Sequence, residues 1–129
     1  VDHNDSLTQS EIDVLARAKV ANPHWFSAVV YASGIMSERR QKYAGQHHPY
    51  FNFVDMARRM GYHIREIFRF YLNLKLARLT ASNSDFDDES ITDTYIDVAN
   101  YALIAAGWNV DRLTEAQVDE WDKYAQSKS

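Results

Sequence analysis

Apolar and polar residues alternate along this chain with the period of a helix rather than of a strand. Thr8-Gln-Ser-Glu11 is a capping-box pattern, and Ile12, Leu15 and Val20 follow it at roughly helical spacing. This predicts a first helix over about residues 8–21. Asn22-Pro23 ends it, because the residue before a proline is pushed away from helical angles. A second helix is expected from Ser27 to about Tyr43, weakened at Ser33-Gly34. Residues 44–50, with Gly, two His and a Pro, read as a loop. Phe51 to Met60 reads as a short helix stopped by Gly61. The longest helix is expected over Tyr62 to Leu79, where Ile64, Ile67, Phe68, Phe70, Leu72, Leu74 and Leu76 cover more than one face. After a polar, acidic loop at 80–88, another helix runs to about Ala106, with Gly107 as its stop. Thr114-Glu-Ala-Gln117 caps a last helix, to about 125, that carries Val118, Trp121 and Tyr124.

These elements predict an all-α fold: a compact bundle of about six helices forming one domain over residues 1–129. Only four Gly and two Pro punctuate the chain, too few for a many-turned β fold. The helices at about 62–79 and 89–106 are expected to be central and buried. Both are apolar on more than one face, and a domain of this size has limited interior. A homodimer or higher oligomer that covers aromatic residues is therefore expected.

Composition narrows the function classes. With 46% hydrophobic residues the chain can bury a real core. A net charge of −4 and a pI near 5.7 give no polyanion-binding signature, and the basic residues are spread out. Nucleic acid is thus the least favoured partner. The absence of cysteine excludes disulfides and thiolate metal sites and fits a reducing compartment. No apolar run reaches the roughly 18 residues of a membrane span, and no signal-peptide pattern is present. The expectation is a soluble, cytoplasmic protein without a membrane partner. Its opening Val is read as the result of initiator-Met removal.

The candidate chemistry centres on residues 88–101. In a helix, Glu89, Asp93 and Asp97 fall at i, i+4 and i+8, one carboxylate above another on one face. Ile91, Tyr95, Ile96, Val98 and Ala99 flank them, so this helix reads as buried. Stacked like charges repel, so something positive should face them. Lys75 and Arg78, at i and i+3 on the preceding helix, are suited to that. Two readings follow. In the structural one, Lys75 and Arg78 pair with Asp93 and Asp97 across antiparallel helices. In the functional one, the carboxylates hold Mg²⁺ or Mn²⁺ and the basic pair holds phosphates. Glu89 also sits in a first turn, where an acid favours the helix dipole. Tyr101 continues the stripe, as a core aromatic or a ligand contact. Phe51-Asn52-Phe53 offers aromatic faces and an amide that can stack on and hydrogen-bond a base, or it seeds the core. The run Glu38-Arg39-Arg40-Gln41-Lys42 reads as a solvated helix face. Adjacent His47 and His48 form no helical ligand pair, and no zinc, Walker or nucleophile-elbow motif occurs.

Taken together, these motifs resemble a known family. Asp88 to Ala102, with its Asp-x-x-x-Asp at Asp93 and Asp97, looks like the second metal-site helix of MazG-like all-α nucleoside triphosphate pyrophosphohydrolases. It is more similar still to their small, largely phage-encoded relatives, the nucleotide-modification-associated domains. Arg39 to Tyr43 resembles an Arg-x-x-x-Tyr-Gly element that precedes an Asn-Phe pair, here Asn52-Phe53. Lys75 and Arg78 resemble a Lys-x-x-Arg. The likeness covers about residues 35–106, with the first and last helices as additions. It implies a helical, often oligomeric nucleotide-binding fold. Catalytic members use Mg²⁺ to release pyrophosphate from a nucleoside triphosphate. By that likeness Glu89, Asp93 and Asp97, with Glu38 as a replacement ligand, would hold Mg²⁺ or Mn²⁺. Lys75 and Arg78 would neutralise the phosphates, and Asn52, Phe53 and Tyr101 would contact the nucleotide. The chain departs from the hydrolases where they carry Glu-Glu-x-x-Glu, since its helix offers Lys75 and Arg78 there. Ala44 also stands before Gly45, displacing the expected glycine. The alternative is a non-catalytic nucleotide-binding or protein-interaction factor, one that would contact a host protein in the host cytoplasm, whose acids and bases form a structural ion-pair network.

Overall fold

Thr8 starts the first helix through the reciprocal bonds its sequence predicts. The Glu11 amide donates to Thr8 Oγ1 at 3.1 Å, and the Thr8 amide donates to Glu11 Oε1 at 2.8 Å. In this computed structural model, which describes residues 5–44, 47–81 and 88–127, six α-helices and no strand are found among the described residues. They are α1 Gln9–Ala21, α2 Pro23–Arg39, α3 Phe51–Met60, α4 Ile64–Ala81, α5 Asp88–Val110 and α6 Glu115–Ser127. A π-helical turn, Arg40–Ala44, continues α2.

Several boundaries differ from the sequence expectation, each for a local reason. Asn22-Pro23 ends α1 and also starts α2, four residues before Ser27. The Asn22 side chain accepts the Trp25 amide at 2.9 Å, and Pro23 occupies the first helical position, where its missing N–H costs nothing. Ser33-Gly34 does not interrupt α2. Gly61 stops α3 as expected: its φ of +71° is left-handed, and the Tyr62 amide reaches back to the Ala57 carbonyl at 2.9 Å. The next helix therefore begins at Ile64 rather than Tyr62.

Gly107 does not stop α5, which runs on to Val110. The glycine serves packing instead. A Cβ there would lie 2.8 Å from Tyr50 Oη, whose hydroxyl donates to the Ile104 carbonyl of the same helix. The helix ends where Arg112 takes a left-handed φ of +51° and the Leu113 amide bonds the Trp108 carbonyl. Thr114 and Gln117 then exchange bonds of 2.9 and 3.2 Å to cap α6.

The core lies where α3, the first half of α4, the second half of α5 and α6 meet. Val54, Ala57, Ile64, Ile67, Phe68, Trp108 and Val118 are its buried members. Tyr50 is wedged among them, its ring edge-on to both Phe68 and Trp108. α4 and α5 form an antiparallel pair, and α2 packs on α5. The expectation that both central helices are buried is met in part: Ile64, Ile67 and Phe68 of α4 and Ile96 and Trp108 of α5 are buried, while Phe70 and Leu74 of α4 and Leu103 of α5 are at least half exposed. No helix among the described residues is long and apolar enough to cross a membrane.

Candidate functional site

Beside this core, the end of α2, its π turn, α3 and the middles of α4 and α5 enclose an open groove of about 1260 Å³. Its floor is aromatic. Tyr71 of α4 and Tyr101 of α5 stack with centroids 5.2 Å apart and planes 4° from parallel. Phe53 meets Tyr71 edge-on at 5.7 Å and Phe68 at 5.2 Å. Phe53 thus does both things its sequence context suggests, closing the core on one side and lining the groove on the other. Asn52, exposed on α3, also lines it. Phe51 instead stacks on His47 at 4.1 Å.

The charged wall is organised by one carboxylate. Asp97 is buried, at 9% exposure. Its Oδ1 lies 2.9 Å from Arg39 Nη1 and its Oδ2 lies 3.2 Å from Lys75 Nζ. A single acid therefore ties α2, α4 and α5 together. Lys75 Nζ also sits 6.0 Å above the Tyr101 ring, the range of a cation–π contact. Neighbouring Asn100, also buried, donates to the Ala32 carbonyl at 3.2 Å and holds α5 against α2. Arg40 donates to the His47 carbonyl at 2.6 Å, and Arg59 pairs with Asp55 at 2.9 Å. Arg39, Arg40, Arg59 and Lys75 all line the groove. Among the described residues that line the groove, these four cations stand with one carboxylate, Asp55, while Asp97 bonds Arg39 and Lys75, so the described charges of this wall are mostly positive.

Burial also raises the Tyr50 hydroxyl above its ordinary pKa, with the Asp111 charge adding to the effect. The phenol stays neutral and keeps its donor role toward Ile104.

The expected site residues are only partly brought together. Lys75, Asp97, Asn52, Phe53 and Tyr101 converge on the groove or its wall. Asp93 lies one turn away on the solvent side, where its Oδ1 accepts the Tyr31 hydroxyl at 3.2 Å. Arg78 is exposed in the last turn of α4, and among the described residues no ion pair joins it to Asp93 or Asp97. Glu38 is exposed and does not line the groove. Glu89 belongs to α5, but its side chain lies outside the described residues, as does that of Tyr43. Among the described residues no cluster of three acids or histidines is arranged to hold a metal ion. Both oxygens of Asp97 already face cations, so a divalent ion there would have to displace Arg39 and Lys75.

Arg39 is the groove residue that the sequence reading undervalues. The charged run 38–42 looks like a solvated face, yet Arg39 turns inward to Asp97. Its signal was the Arg-x-x-x-Tyr element rather than the charge run. Arg59 and Tyr71 had no distinguishing signal, since each looks like an ordinary member of an amphipathic helix.

No family model, curated protein or solved structure matches this chain. The MazG-like resemblance accordingly rests on the quoted motifs alone.

Proposed function

We propose that the groove binds a nucleotide, with Lys75 and Arg39 toward its phosphates and the aromatic floor toward its base. The observation that carries this reading is that Arg39, Arg40, Arg59 and Lys75 line the same groove as stacked Tyr71 and Tyr101, with Lys75 Nζ over the Tyr101 ring. Guanidinium and ammonium groups match phosphate oxygens, and every base has a π face that an aromatic side chain can meet. The groove's volume is ample for a nucleoside triphosphate. Asp97 acts here as a positioning residue. It fixes two long cationic side chains before ligand arrives, so less of their freedom is lost on binding. It also leaves one of their two charges uncompensated. This is the binding form of the MazG-like reading, in which the acid–base network is structural.

A second reading, Mg²⁺-dependent pyrophosphohydrolysis, is favoured by one observation. Asp93 and Asp97 stand one turn apart on α5, and Asp93 is exposed. When bound, Mg²⁺ would supply Lewis-acid chemistry at a phosphate. Asp93, exposed and one turn from Asp97, would be the residue to hold it.

Calorimetric titration with ribo- and deoxyribonucleoside triphosphates, with and without Mg²⁺, tests both readings when paired with a pyrophosphate-release assay. Saturable binding that Lys75→Ala weakens about tenfold or more is expected. That corresponds to about 1.4 kcal/mol or more, within the range for hydrogen bonds to charged groups. The binding reading fails if no triphosphate binds at millimolar concentration. The hydrolytic one fails if bound triphosphate survives with Mg²⁺ and Mn²⁺.

A further inference from the structure

From Thr92 to Val110, one long face of α5 is open to solvent and carries no charge. Tyr95, Ala99, Ala102, Ala106 and Val110 recur along it every three or four residues, with Leu103 alongside. All six are exposed, Tyr95 by 60%, Leu103 by 62% and Val110 by 78%. The remaining positions on this side, Thr92 and Asn109, are uncharged as well. A helix face that faces water normally carries charged side chains. This one has the profile of a helix–helix contact, with a small-residue centre that lets two backbones approach closely and a large apolar residue toward each end.

The surface of the whole chain supports a missing partner. It exposes 9822 Å², whereas the scaling law for a folded monomer of 14.9 kDa gives roughly 7,000 Å². The excess is larger than the ~800 Å² that each side of a standard interface covers.

The order of residues also selects the partner. In a parallel pair of identical helices, Tyr95 would meet the partner's Tyr95 and hold the alanines apart. In an antiparallel pair, Tyr95 meets the partner's Val110 and Ala99 meets the partner's Ala106, so bulk and gap alternate. We propose that a second copy of this chain docks on this face, α5 antiparallel to α5, with the two-fold axis between Ala102 and Leu103. Leu103 also lines the groove, so the partner stands at the groove's rim. The inference does not depend on what the groove binds.

Sedimentation velocity at tens of micromolar, without ligand, is the first test. Wild type should sediment at twice 14.9 kDa. Ala102→Glu sets like charges against each other at the axis and should sediment as a monomer with unchanged helical circular dichroism. Because the chain has no cysteine, single cysteines read the direction of pairing in a folded background. Ala102→Cys should cross-link two copies on oxidation. Val110→Cys should not, since the two positions lie roughly 22 Å apart in the antiparallel pair at 1.5 Å per residue. A monomeric wild type, a dimer indifferent to Ala102→Glu, or cross-linking through Val110→Cys as efficient as through Ala102→Cys would overturn the proposal.

Discussion

Replacing Asp97 with Asn changes almost no volume and removes one charge from a three-helix junction. In the native protein its two oxygens face Arg39 at 2.9 Å and Lys75 at 3.2 Å. The side chains of Asp97 and Lys75 are only 12% and 19% exposed, whereas that of Arg39 is 46% exposed. Removing one partner of a fully buried pair costs about 3–5 kcal/mol, because the other charge is left without compensation. Arg39 can swing into water, so its share is screened and small. Lys75 is confined against the Tyr101 ring and has less freedom to escape. The expected loss is thus about 2–3 kcal/mol, below the fully buried range. For a chain of this length that lowers the melting temperature by roughly 6–12 °C. The same substitution makes the groove more positive, which offsets the lost positioning of Arg39 and Lys75, so triphosphate affinity measured below the melting transition should hold. A metal-ligand role predicts the opposite pair of results: little change or a gain in stability, from relieved repulsion, and a loss of Mg²⁺-dependent turnover. The ion-pair argument is refuted if Asp97→Asn melts within about 2 °C of wild type.

Gly107→Ala should destabilise the protein by about 1–3 kcal/mol through overpacking against Tyr50, despite alanine's better helix propensity. Combined with Tyr50→Phe, which removes the obstructing oxygen, the same change should become neutral or stabilising, and denaturant melts of the four proteins would show that reversal. His48 gives a pH prediction with a definite sign. Burial lowers its pKa below the ordinary 6.5, outweighing Asp122, which raises it, while Arg40 lowers it further. The unfolded chain therefore binds the proton more readily, so His48's contribution is fully present above about pH 6.5 and is lost as the pH falls below it. Melting curves from pH 7.5 down to 5 should show a decline that His48→Gln flattens; an unchanged slope would refute the assignment.

Sequence by itself determined what depends on neighbours along the chain. The capping boxes at Thr8 and Thr114, the left-handed stop at Gly61 and the helical spacing of apolar residues are short-range chemistry. They fixed an all-α fold and most element positions. Sequence also singled out Asp97, because a carboxylate one turn from another amid apolar residues needs a positive partner. It could not choose that partner. Lys75 was legible because it sits among leucines on the adjacent helix. Arg39 was legible only through its Arg-x-x-x-Tyr spacing, because a basic residue within a charged run looks the same in sequence whether it faces water or a buried acid. Gly107 shows the same division. Along the chain a glycine near a helix end reads as a stop, and only the approach of Tyr50, more than fifty residues away, makes it a packing site. Local hydrogen bonds decide where helices begin and end. The pairing of charges and the fit of rings into glycine-made gaps depend on which helices become neighbours, and that is settled only when the core closes.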